Sequence, residues 1–140
     1  MKLKEPFAVY TNFIFLLPFY FALIKNEYFW ALIIIMLFIF STIFHFSKPI
    51  GAVWWHKTKS LKNFQKIFLW IDTLMASSLV LFNFYVIFHK IFSIEILLAI
   101  ILAVIAFIIF LYPTKEDKYN IIHGIWHLIS GVITLLLIIG

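Results

Sequence analysis

The sequence contains no cysteine. That excludes a disulfide framework and any thiolate metal site, so a bound metal must be held by nitrogen and oxygen ligands. Arginine is missing too: all 11 basic residues are lysines. With many Ile and Phe, this is the composition expected of an AT-rich bacterial genome, and hence of a bacterial inner-membrane protein. Charge is scarce. Only 12% of the 140 residues are charged, while 65% are hydrophobic and the mean hydropathy is +1.10. A soluble domain carries about a quarter charged residues, and no soluble fold of this length has interior enough for so much apolar side chain. Lipid must be the solvent for much of the chain. Alternating segments of about ten residues, the mark of a membrane β-barrel, are absent. So are internal repeats and low-complexity linkers, which leaves a single domain over residues 1–140.

What is present is five apolar stretches: Phe7 to Ile24, Tyr28 to Phe46, Ile67 to Phe88, Ile91 to Tyr112 and Ile121 to Gly140. Each is long enough to cross a hydrocarbon core of about 30 Å at about 1.5 Å per residue. The expected fold is an all-α integral membrane bundle of about five transmembrane helices. Polar breaks separate them: Lys25-Asn26-Glu27, Ser47 to Lys66, His89-Lys90, and Pro113 to Asn120. Pro18 is expected to kink the first helix. That helix follows Lys2 and Lys4 without a small-residue cleavage site, and it reads as an uncleaved span rather than a signal peptide.

Five spans put the amino terminus, the Ser47–Lys66 loop and the Pro113–Asn120 loop on one side. That side carries Lys2, Lys4, Lys48, Lys57, Lys59, Lys62, Lys66, Lys115 and Lys118; the other carries only Lys25 and Lys90. The positive-inside rule then expects a cytoplasmic amino terminus and an external carboxyl terminus. Trp54, Trp55 and Trp70 flank the long loop at interfacial positions. Its lysines read as topology setting and attraction to anionic headgroups, with no nucleic-acid partner.

Ionisable side chains inside a span are costly and mark function by default. Here they are few. Ser41 and His45 end the second helix, four apart; Asp72 lies one to two turns into the third; His123 and His127 open the fifth, again four apart. Residues four apart on a helix share a face. The second helix ends on the cytoplasmic side, where the third and fifth begin. All five residues are therefore expected within about 10 Å of that interface by helix rise. Three histidines with one open position form a catalytic zinc arrangement. Zinc lowers the pKa of bound water to about 7, Asp72 is the natural general base or orienting group, and Ser41 is a donor to the water or to an oxyanion. His56 and His89 read as solvated loop residues, Glu95 as interfacial, and Asn83 as a partner for a neighbouring helix.

The ordered set Ser41-Thr-Ile-Phe-His45, Asp72 and His123-Gly-Ile-Trp-His127 resembles the CREST superfamily. That group includes alkaline ceramidases, progestin and adipoQ receptors, and hemolysin III-like bacterial proteins. The resemblance covers the motif-bearing helices, about half of the chain. It implies zinc held by His45, His123 and His127, with Asp72 and Ser41 close to the metal-bound water, and hydrolysis of a lipid amide or ester. The family core has seven helices, against five here. Loss of one helix pair before the last helix keeps the His-x-x-x-His helix in its orientation but opens the bundle wall. Lipid, a second copy of the chain, or a different path of the fourth helix would close it.

The expected partners are thus a lipid substrate, the bilayer and a second copy in a homo-oligomer. The competing reading is a non-catalytic receptor or accessory protein with a structural zinc, its four positions filled by protein ligands. Haem is disfavoured, because His-x-x-x-His sets both nitrogens on one side of a helix and cannot bracket a porphyrin. Transport lacks an ionisable relay at mid-membrane.

Overall fold

The computed structural model describes residues 6–47, 61–111 and 116–140. Trp54, Trp55, His56 and Lys2, Lys4, Lys48, Lys57, Lys59 and Lys115 of the sequence argument lie outside these. The described residues form an all-α bundle of five helical segments: α1 (Pro6–Ile24), α2 (Tyr28–Ser47), α3 (Asn63–His89), α4 (Ile94–Leu111) and α5 (Glu116–Ile139). α1, α2, α3 and α5 are long and apolar enough to cross a membrane; α4 is shorter. Large apolar side chains such as Tyr10, Phe29, Leu81 and Phe88 point outward. In water they would be a liability, but against lipid tails they are the expected surface.

α1 is interrupted by a 3₁₀ turn over Asn12–Phe15. The break falls one turn before Pro18, which has no N–H to give the carbonyl of Ile14 and whose ring crowds it. The expected kink is therefore a local tightening. α1 then closes with Asn26 at φ 61, while Asn26 and Glu27 donate backbone N–H groups to Leu23 (3.1 Å) and Ala22 (2.8 Å). Asn tolerates this left-handed conformation, and the pair of bonds is a Schellman stop. It folds α2 back along α1.

α3 begins four residues before its apolar run, because Gln65 Oε1 accepts the backbone N–H of Lys62 (2.9 Å) and its Nε2 donates to the Ser47 carbonyl. Asp72 is therefore more than two turns into the helix, deeper along it than the apolar boundary suggested. α5 also starts early, at Glu116. The added turn carries Asn120, whose Oδ1 accepts the Ala8 N–H at 3.0 Å, one of the donors that the first turn of α1 cannot pair internally.

α3 packs along α2 and α4 along α5, while α1 lies between α2 and α5. α5 meets α1 through glycines: a Cβ on Gly124 would stand 2.4 Å from Phe7 Cδ1, and one on Gly131 2.7 Å from Ile14 Cγ2. At the far end of α5, Lys25 Nζ donates to Ile139 O (2.9 Å) and Lys90 Nζ to Leu137 O (2.7 Å). Two cations thus cap carbonyls that the helix leaves unpaired, at the negative end of its dipole. Burial, and then the nearby charge of Lys25, pull the Lys90 ammonium below the ordinary lysine value, with Glu27 opposing.

Candidate metal centre

His45 comes from the last turn of α2, and His123 and His127 from one face of α5. The α1–α5 and α2–α1 packing brings the three rings together. One ligand atom from each lies within 4.8 Å of the others, and this set can hold a metal ion. His45 Nε2 and His123 Nε2 are 3.0 Å apart. Tetrahedral zinc with nitrogens at 2.0–2.1 Å needs them about 3.3 Å apart. The donor set therefore fits, with small adjustments. Two neutral imidazoles meet nitrogen to nitrogen only if one carries a proton there; a cation between them would satisfy both lone pairs.

The rings are held from behind. His127 is 3% exposed, and its Nδ1 lies 3.2 Å from Ala8 O and 3.4 Å from Thr11 Oγ1. A carbonyl can only accept, so Nδ1 carries the hydrogen and Nε2 is left with its lone pair for a metal. The single Thr11 hydroxyl proton is shared between Phe7 O (2.9 Å) and Ala8 O (3.1 Å), so the oxygen meets His127 as an acceptor. His123 stacks on Tyr119, with ring centroids 5.1 Å apart, and its Nδ1 is 3.4 Å from the Tyr119 hydroxyl.

Ser41, one turn before His45, is fully buried and bonds to Asn12 both ways. Asn12 Nδ2 donates to Ser41 Oγ (3.1 Å) and Ser41 Oγ donates to Asn12 Oδ1 (3.3 Å). Asn12 itself is 0% exposed. All three histidines, Ser41 and Asp72 line one cavity of about 600 Å³. Its wall is otherwise mostly apolar, running along α3 from Leu69 to Ile87 and closed on one side by Ala103, Ala106 and Phe107 of α4. α4 thus supplies part of the wall that a five-helix bundle was expected to lack. Trp70, Phe84 and Phe107 line it while being 62%, 47% and 60% exposed, so the cavity reaches the outer surface of the bundle.

Three further expectations find their places. Asn83 does bond to a neighbouring helix, through Nδ2 to Thr134 Oγ1 at 3.0 Å. His89 is exposed, but it ends α3 rather than lying in a loop, stacked on Tyr85 with ring centroids 4.1 Å apart. Glu95 sits in the first turn of α4. Sequence reasoning missed Thr11, Asn12, Tyr119 and Asn120. The available signal was Thr11-Asn12, a neutral polar pair in the apolar run of the first helix, one turn from the end where the histidines lie.

No family model, no curated protein and no solved structure matches the chain.

Proposed function

We propose that the protein is a zinc-dependent hydrolase of lipid amide or ester bonds, working in the cytoplasmic leaflet of a bacterial inner membrane. One observation carries this reading: three imidazoles, those of His45 and His127 buried and that of His123 half-buried, converge on the wall of a largely apolar cavity of about 600 Å³. The resemblance of Ser41, His45, Asp72, His123 and His127 to the CREST pattern points the same way. So does the excess of lysines at the histidine end, which favours a cytoplasmic amino terminus.

His45, His123 and His127 are assigned as the metal ligands. Zinc held by these three imidazoles would supply Lewis acidity, lowering the pKa of water toward neutrality. Asp72 is assigned as the carboxylate that accepts a proton beside the histidines. Ser41 Oγ, once turned away from Asn12 Oδ1, donates to the carbonyl oxygen of the scissile bond, where negative charge develops. The apolar wall takes the lipid tail and excludes water, which strengthens each of these interactions. Water adds across the amide or ester bond, giving a carboxylic acid and an amine or alcohol.

The test is metal content and lipid turnover measured on the same purified samples. Wild type is expected to carry close to one zinc per chain. His45→Ala and His123→Ala are expected to lose it and to lose hydrolysis. Wild type free of zinc, or hydrolysis surviving His123→Ala, would overturn the proposal. Because Asp72 shares the cavity wall, it is also the carboxylate available to complete a structural zinc site in a non-catalytic protein. Asp72→Asn separates the two. A catalytic role predicts retained zinc with turnover reduced at least about a hundredfold, the scale of a general base. A fourth-ligand role predicts loss of the metal itself.

A further inference from the structure

The cavity has a second polar feature far from the histidines. Asn83 is 7% exposed and lines the cavity wall on α3. Its Nδ2 donates to Thr134 Oγ1 on α5, and the Thr134 hydroxyl in turn donates to Ser130 O at 2.9 Å. The Thr134 proton is thereby committed, so Thr134 can only accept from Asn83. This fixes which end of the amide faces which way. Asn83 Oδ1 is left buried, with no hydrogen-bond partner among the described residues.

Helix-to-helix bonding explains only half of this side chain. One donor suffices for Thr134, and the carbonyl end of the amide is an acceptor that this contact does not use. A buried acceptor without a donor is costly, and natural cores rarely keep one unless something pairs with it. On α5, His123, His127, Ser130 and Thr134 recur at spacings of four, three and four residues. They therefore share one helix face, a polar track leading from the histidines toward Asn83. By helix rise, Thr134 lies about 10 Å beyond His127, and Asn83 about 16 Å along α3 from Asp72.

We propose that Asn83 Oδ1 binds a hydrogen-bond donor carried by the cavity's ligand, and that this ligand is a lipid chain with a hydroxyl near its middle. The proposal rests on the lipid-hydrolase reading, in which the scissile linkage sits at the histidines and the chain runs along the cavity. A plain hydrocarbon chain would bury Oδ1 unpaired; a mid-chain hydroxyl pairs with it at the depth the helices set.

The experiment is equilibrium binding of stearate and of a hydroxystearate with its hydroxyl mid-chain, to purified protein, with zinc content measured on the same samples. Wild type is expected to bind the hydroxylated chain about three- to tenfold more tightly, the worth of one hydrogen bond. Asn83→Leu and Asn83→Ser are expected to bind the two chains equally, while stearate affinity and zinc content stay at wild-type levels. Asn83→Ser keeps a small polar side chain at this position on α3, and its zinc content guards against simple misfolding. Equal binding by wild type would overturn the proposal, as would a preference that survives both substitutions or no binding of either chain. Zinc present with no preference would sink this inference and leave the hydrolase reading standing. A preference without zinc would do the reverse.

Discussion

At the scale of single residues, the candidate centre depends on neutral side chains as much as on histidines. The histidines and Asp72 were legible because ionisable groups in a span stand out against hydrocarbon, and Ser41 because it lies one turn before His45 on the same helix face. Thr11 and Asn12 were not, because hydroxyls and amides are tolerated in membrane helices wherever a partner is near. Only the three-dimensional fold shows that Asn12 meets Ser41 and that Thr11 meets His127. Asn12 grips the hydroxyl proposed to face the substrate. Asn12→Leu is therefore expected to keep zinc and lose turnover by about ten- to a hundredfold, the usual cost of removing a supporting hydrogen-bond partner. Asn12→Asp, which still accepts from Ser41, should recover part of the loss. Zinc content and turnover measured together decide this, and full activity in Asn12→Leu would refute the role given to Asn12.

At the scale of elements, the apolar runs located all five helices, since a span must be apolar over a length set by the bilayer. The early starts of α3 and α5 escaped notice because their first turns are polar and rest on Gln65 and Asn120. The close approach of α1 to α5 was equally hidden, since a glycine in sequence does not reveal what faces it. Gly124 and Gly131 lie seven residues apart, on the same face of α5. Alanine at either site gains about 1 kcal/mol of helix propensity. At Gly131 the new methyl meets Ile14, with its Cβ at 3.3 Å and its Cγ2 at 2.7 Å. That side chain is stiff at χ1 and cannot swing aside, so overpacking at about 1–3 kcal/mol should exceed the gain. At Gly124 the nearest atoms belong to the Phe7 ring, which is 37% exposed and has room to move. Gly131→Ala should therefore lower the thermal unfolding midpoint in detergent by several degrees, and Gly124→Ala by much less. The opposite ranking would show that α1 is held against α5 at its first turn rather than at the 3₁₀ turn.

At the scale of the whole molecule, the bundle has two chemically different ends. At one end lie the histidines. At the other, Lys25 and Lys90 hold the last carbonyls of α5, the carbonyl oxygens of Ile139 and Leu137. The two lysines that the sequence argument set apart from the other nine do share an end, about 24 Å along α5 from His123 by helix rise. Which end faces the cytoplasm depends on insertion, and the lysine imbalance is its strongest determinant. The missing cysteines make a direct test clean, because any thiol introduced is the only one to react. Lys62→Cys and Lys118→Cys probe the histidine end; Tyr28→Cys and Phe92→Cys probe the opposite end at exposed positions that leave both lysine caps intact. In intact cells, a membrane-impermeant maleimide should label positions 28 and 92 and spare 62 and 118 until the cells are lysed. The reverse pattern would turn the molecule over. The histidines would then face the outer leaflet, and the proposed lipid substrate would have to be drawn from that side of the membrane.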